Sequence, residues 1–180
     1  MVIDKTNFPH LFQEKTWSWG PIKTIFELDV IPPLELISNV NIIPFVENKC
    51  VIIRTDKGWG IIGGTLEPGE RYLETLQREL LEEAGARFIN FEPIGAWHCH
   101  SLADGPYRPH LPWPEFYRVV GFGDVELFKK PENPEDGEQI LEVGTFSLEE
   151  ACGLLTQRPD DGTELAEIYR LAALVREKIN

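Results

Sequence analysis

The segment from Gly63 to Ala86 constrains this chain more than any other. It reads Gly63-Gly64-Thr65-Leu66-Glu67-Pro68-Gly69-Glu70 and then runs from Arg71 to Gly85. Two glycines follow an apolar stretch, and Pro68-Gly69 marks a turn. The spacing after that turn predicts a helix over 71–84. At about 100° per residue, Leu73, Leu76, Leu80 and Ala84 fall on one stripe, and Gly85 is placed to stop the helix. Glu79, Glu82 and Glu83 fall together on another face. Like charges at this spacing cost roughly a few tenths of a kcal/mol each, and the last turns of a helix disfavour anions through the helix dipole. Arg78, four residues before Glu82, offsets part of this. A sequence tuned only for helix stability would carry lysines here. The patch makes sense if it binds a hard cation, because Mg²⁺ takes carboxylate oxygens together with water and phosphate oxygens. Spacing alone also allows a solvated acidic face.

The complete pattern is Gly64, five residues, Glu70, seven residues, then Arg78-Glu79-Leu80-Leu81-Glu82-Glu83-Ala84-Gly85-Ala86. It resembles the signature of the Nudix hydrolases, the MutT-like family, at all seven fixed positions up to Gly85. A motif of this length is far more specific than a lone glycine pattern. Four positions depart from it. Ala86 stands for a bulky aliphatic residue, Ile62 for a common proline, and Thr75-Leu76 for small alanines. None of these removes a chemical group. The resemblance covers residues 64–86 directly, and the strand and helix order from about 36 to 156 is compatible with the family's fold.

The resemblance implies a metal-dependent pyrophosphohydrolase that cleaves a nucleoside diphosphate linked to another moiety, with Mg²⁺ or Mn²⁺ as cofactor. Carried over by position, Glu79, Glu82, Glu83 and the Gly64 carbonyl are the metal ligands. Arg78 orients the glutamates, while Glu70, Gly63 and Gly85 support the site. A glutamate of the box or of a distal loop activates water. Glu138, in the polar loop before the strand expected at 139–146, is the first distal candidate and Glu135 the second. Metal ions suit such chemistry because they neutralise the diphosphate and acidify water. Two other readings belong to the same fold. One is a nucleotide-sensing binding module without catalysis, whose usual mark, loss of box glutamates, is absent here. The other is an isoprenyl diphosphate isomerase, which would need Cys99 as its catalytic cysteine.

Outside the box, extended segments are expected from Leu36 to Trp59, at 88–97, at 116–122 and at 139–146. Helices follow from Ser147, with Glu150 completing a capping box, and over about 161–178, with Asp161 and Glu164 as a second box-like start. This order predicts a mixed β-sheet sandwiched between α-helices, an α/β/α arrangement. Residues 1–34, closed by Pro32-Pro33, read as an N-terminal extension to a domain spanning 35–180. Its scattered aromatics, Phe8, Phe12, Trp17, Trp19 and Phe26, suit either a sheet face or a homodimer interface.

The stretch from Trp97-His98-Cys99-His100 through Tyr107-Arg108-Pro109-His110 to Trp113 and Arg118 mixes cations, aromatics and prolines. Arg108 and Trp113 are expected to meet substrate, one on a phosphate and the other on a base. Arg54 and Lys57 add positive potential upstream of the box, with Arg54 taken as a third substrate residue. His98 and His100 alternatively hold a metal, though a lone His-x-His is a weak signal.

Charge now becomes informative. The chain carries −13 overall, with 30 acidic and 17 basic side chains in 180 residues. This argues against polynucleotide and anionic-membrane partners. Four of those net charges fall in residues 64–86, where divalent ions would cancel them, and residues 87–130 are neutral. A small nucleotide-type substrate is therefore compatible with the acidity. The three cysteines are widely spaced and lack any CxxC pair, which fits reduced thiols and a cytoplasmic setting. No stretch in the sequence approaches a membrane span of ~20 apolar residues.

Overall fold

The computed structural model describes residues 3–17, 20–135 and 137–179; Trp19 lies outside them. Among the described residues ten strands form the sheet system: β1 (Lys15–Trp17), β2 (Ile22–Leu28), β3 (Ile37–Val46), β4 (Lys49–Thr55), β5 (Gly58–Gly60), β6 (Ile62–Thr65), β7 (Ala86–Phe88), β8 (Glu92–Ser101), β9 (Glu115–Leu127) and β10 (Glu142–Phe146). The helices are α1 (Tyr72–Glu79), continued by a wide π turn over Leu80–Ala84, α2 (Leu148–Leu155) and α3 (Gly162–Ile179). The main path runs β1-β2-β8-β9-β3-β4-β10, with β5 on β4, β6 on β3 and β7 on β9. The β3–β9 pair is parallel and its neighbours are antiparallel. The sheet is therefore mixed, as expected.

Alternation along the central strands divides the core. Val40 and Ile42 of β3 and Val51 and Ile53 of β4 pack under α1 with Leu76, Leu80 and Ala84. Ile43, Phe45, Cys50 and Ile52 face the other way, toward Ile168, Leu171 and Ala172 of α3. A period of two thus produces two apolar faces, each covered by helix. Leu73, expected on the buried stripe, is 41% exposed. It lies in the first turn of α1, where Tyr72 packs on the core instead.

Three local expectations are corrected. The strand expected over 88–97 is two strands, because residues 89–91 turn and leave Ile89 outside. The strand expected over 139–146 begins at Glu142. The Ser147–Glu150 capping box is present, but Asp161 and Glu164 do not form one. The Glu164 carboxylate turns inward, accepting from Trp97 Nε1 at 2.7 Å and pairing with Lys15 at 2.7 Å.

The N-terminal segment also joins the sheet. All seven residues of β2 pair with β8, and Phe26 packs edge-on to Trp97 beneath it. Phe8 and Leu11 are buried in the α3-side core. Among the described residues no helix is long and apolar enough to cross a membrane.

Candidate active site

The box loop is built by close backbone approach. Gly63 lies at φ +144°, and a side chain there would strike the Val40 carbonyl; Gly64 faces the Glu79 carboxylate so closely that a Cβ would overlap it. Only glycine fits at Gly63, while at Gly64 a side chain would have to push the Glu79 carboxylate aside. Gly85, at φ +61°, ends the π turn in the left-handed conformation. Its carbonyl accepts from the Phe128 and Lys129 amides at 3.1 and 3.2 Å. The Glu82 carbonyl accepts from the Asn133 amide at 3.2 Å, and the Leu81 carbonyl, besides taking the Gly85 amide at 3.2 Å, accepts from the Glu132 amide at 3.3 Å. The last carbonyls of a helix look beyond it for partners, and here they hold residues 128–133 beside the box.

Arg78 is the hub. Its Nε donates to Glu70 Oε1 at 2.8 Å and its second terminal nitrogen to Glu70 Oε2 at 3.0 Å, a bidentate fork. The first terminal nitrogen reaches Glu79 at 2.8 Å and Glu82 at 3.4 Å. The Thr65 carbonyl accepts a further bond at 3.2 Å. Arg78 holds the Glu70 carboxyl down at about 2. Thr75, which the sequence pattern marks only as a departure, donates its hydroxyl to Glu70 Oε2 at 2.7 Å and belongs to this support. An alcohol at a buried helical position one turn beyond a box glutamate was the available signal.

The other carboxyls move the opposite way. Burial pushes Glu79 up, partly countered by Arg78. Burial pushes Glu83 well up, with Glu79, Glu138 and Glu82 adding repulsion, although the Gly63 amide donates to it at 2.9 Å. Desolvated, mutually repelling oxygen donors beside a glycine cradle fit a hard divalent cation. Among the described residues no three His, Cys, Asp or Glu side chains are already gathered as a cage. Arg78 lies among the carboxylates, so ligation would require their rotation.

A cavity of about 830 Å³ opens over this patch. Glu79, Glu82 and Glu83 line it together with Glu138, Arg108 and Trp113, so residues distant in sequence are brought to one space. Lys57 lines it too and holds Glu138 Oε1 at 2.9 Å. The loop bearing Arg108 is tied to the box where His110 Nε2 donates to the Leu66 carbonyl at 2.8 Å. Arg54 is elsewhere: it bonds Glu142 at 3.0 Å across the β4–β10 pair and lines no part of the cavity. Glu135 is exposed and also outside it. His98 and His100 both lie against the single carboxylate of Glu115, and His98 stacks on Tyr117 at 4.6 Å. Trp97 is core.

The NUDIX domain profile matches residues 36–171. The chain belongs to the Nudix family. Similar solved folds include a pyrophosphohydrolase of Bacillus subtilis, at 20% identity and TM-score 0.57, over 74% of this chain and 77% of that one. A NUDIX hydrolase from Nitrosomonas europaea aligns at 20% identity and TM-score 0.53, over 76% and 89%. An ADP compounds hydrolase aligns at 21% and 0.51, over 78% and 71%. No curated protein matches the chain. This Nudix chain is thus a hydrolase acting on pyrophosphate bonds, in a family that generally needs divalent metal ions. In a Nudix site so built, Gly64→Ala is expected to displace the Glu79 carboxylate and lower kcat at least tenfold, measured by steady-state assay, with circular dichroism unchanged.

Proposed function

We propose that this Nudix hydrolase cleaves a nucleoside diphosphate linked to another moiety, using Mg²⁺ or Mn²⁺. The observation that carries the proposal is the convergence of Glu79, Glu82, Glu83 and Glu138 on one cavity with Arg108 and Lys57 on its walls. In this reading Glu79, Glu82, Glu83 and the Gly64 carbonyl hold the metal. Bound there, the ion supplies positive charge to the diphosphate and acidifies water.

The chain's own groups divide the rest of the work. Arg78 keeps the box glutamates apart and aimed, and Glu70 and Thr75 hold Arg78. Glu138 takes the proton of the attacking water as the new P–O bond forms and the anhydride P–O bond breaks. Arg108 and Lys57 meet phosphate oxygens, and Trp113, half exposed at the cavity wall, covers a flat part of the substrate. Such a reaction depends on positioning and electrostatics more than on covalent participation by the protein. The three thiols are free and buried, which supports a reducing, cytoplasmic setting.

Nucleotide sugars, dinucleoside polyphosphates, ADP-ribose, NADH and nucleoside triphosphates, offered with Mg²⁺, form the test panel. Mass identification of a released mononucleotide, abolished by chelation, supports the proposal. Tight binding with no turnover across metals and pH would instead indicate a sensing module.

The isomerase reading loses its residue. Cys99 is fully buried, is bonded to Thr24 and lines neither cavity; burial pushes its thiol up to about 11. Cys99→Ser is expected to keep hydrolysis within about twofold of the parent rate, measured on the panel's best substrate, with some loss of Tm from a polar atom placed in the core.

A further inference from the structure

Glu138 lines the cavity over the box and also an adjoining one of about 570 Å³, with Lys57, Gly63 and Glu83 on the walls of both. It stands where the two spaces meet. Among the described residues between β9 and β10 no helix or strand supports it. Ordering a side chain on such a segment costs conformational entropy, so other bonds must hold it there.

Lys57 is one restraint, donating to Glu138 Oε1 at 2.9 Å. Both side chains are open to water, at 66% and 39% exposure, and exposed pairs of this kind hold weakly. The stronger restraint lies at the neck of the loop. Asn133 Nδ2 donates to the Ile140 carbonyl at 3.0 Å, and Asn133 Oδ1 accepts from the Ile140 amide at 2.8 Å. One side-chain amide, using its donor and its acceptor together, thus closes the loop over 134–139. Ile140 is itself fixed. Its side chain is buried in the core under α1, and the amide of Leu141 donates to the Arg54 carbonyl of β4 at 2.8 Å. On the other side, the Asn133 amide donates to the Glu82 carbonyl at 3.2 Å. Asn133 therefore ties the turn that carries the box glutamates to the segment that carries Glu138.

The residue type fits this place. Asn133 lies at φ +46°, a left-handed conformation that asparagine tolerates better than most residues with a side chain. Aspartate would share the tolerance but lack the donor for the Ile140 carbonyl, and glycine would make neither bond. Inside the loop the Pro134 carbonyl accepts from Gln139 Nε2 at 2.8 Å and from the Gly137 amide at 3.0 Å. The loop is braced as well as closed.

We propose that Asn133 is a positioning residue for hydrolysis: its amide clamp sets Glu138 against the box. The assignment rests on Glu138 taking the proton of the attacking water. Positioning of this kind acts on the chemical step, where a misplacement of about 1 Å can cost ~10²-fold. It leaves the binding of metal and substrate alone.

The test uses the full chain, the best substrate of the panel with Mg²⁺, and Mn²⁺ affinity by electron paramagnetic resonance. Asn133→Gly keeps the backbone conformation and removes the clamp. It is expected to lower kcat at least tenfold, with KM and Mn²⁺ affinity within about twofold of wild type. Asn133→Asp, which keeps the acceptor for the Ile140 amide, should fall between the two. The decisive comparison is made in a Glu138→Gln background, itself expected to be slower by about a hundredfold or more. There Asn133→Gly should cost less than about twofold, because residues that act as a unit are not additive. If Asn133→Gly fails to fold by circular dichroism, Asn133→Asp is judged by the same two comparisons. Equal losses in both backgrounds, or a matching loss of Mn²⁺ affinity, would show that Asn133 acts on the box through the Glu82 carbonyl and would overturn the inference. A wild-type kcat in Asn133→Gly beside a slow Glu138→Gln would overturn it too, and leave the role of Glu138 standing. A Glu138→Gln enzyme with wild-type kcat would remove that role, and the clamp's purpose with it.

Discussion

Replacing Glu82 by glutamine is expected to cut kcat about a thousandfold, the scale seen when one charge-stabilising group leaves a preorganised site, while the fold stays intact. Glu82 is well suited to this test. Its side chain is a quarter exposed and approaches Arg78 at 3.4 Å, so an isosteric amide disturbs little packing. Glu83→Gln should lose activity similarly but change stability in the opposite direction. The Glu83 carboxyl is pushed well up by burial and by three neighbouring glutamates. A carboxyl raised in the folded state leaves folding undisturbed below its unfolded pKa and opposes it increasingly as pH rises. Glutamine keeps an acceptor for the Gly63 amide and removes the charge. At neutral pH without metal, Glu83→Gln is therefore expected to melt several degrees above wild type by calorimetry. Millimolar Mg²⁺ should raise the wild-type Tm, because a ligand of the folded state stabilises it, and should leave the variant unmoved. Such a gain in stability with loss of activity is the usual sign of strain kept for function.

Arg78→Met is expected to have the largest effect on the fold. It strands Glu70 and Glu79 without their cation. Breaking a buried pair on one side costs several kcal/mol, and allowing for the partial exposure of Arg78 leaves about 2–3 kcal/mol. For a chain of this size that is a fall in Tm of roughly 4–12 °C. Arg78→Lys keeps the charge but not the fork, and should lie between. The pH dependence has a definite sign. Glu70 is held down to about 2, so its contribution is complete above the ordinary carboxylate range near 4.5 and is lost as pH falls toward 2. Wild type should lose Tm across that window, and Arg78→Met should lose less.

Much of the catalytic half was legible because it is local. A helix stripe, a glycine stop and three glutamates at fixed spacing are properties of consecutive residues, and the structure retains them except for Leu73, which leaves the stripe. What sequence missed depends on contacts between distant segments. The extension was read as scattered aromatics, yet Ile22, Thr24, Phe26 and Leu28 alternate with period two and form β2, whose partner β8 lies some seventy residues on. The π turn is invisible to a 100° rule, and its Leu81 and Glu82 carbonyls take the Glu132 and Asn133 amides at the start of the segment that leads to Glu138. Arg54 and Lys57 looked equivalent on one extended stretch. The β4–β5 turn separates them, sending Lys57 to Glu138 and Arg54 to Glu142. Glu164 looked like a helix cap until Trp97 and Lys15 claimed its two oxygens.

The central claim is that the acidic box works by holding a divalent cation against a diphosphate. Mn²⁺ binding followed by electron paramagnetic resonance, with mononucleotide release measured in the same samples, tests it most directly. Wild type is predicted to bind Mn²⁺ and release product in proportion to the bound ion, and Glu82→Gln to lose both together. A Glu82→Gln enzyme that hydrolyses at the wild-type rate, or a wild type whose turnover survives complete chelation, would contradict the account.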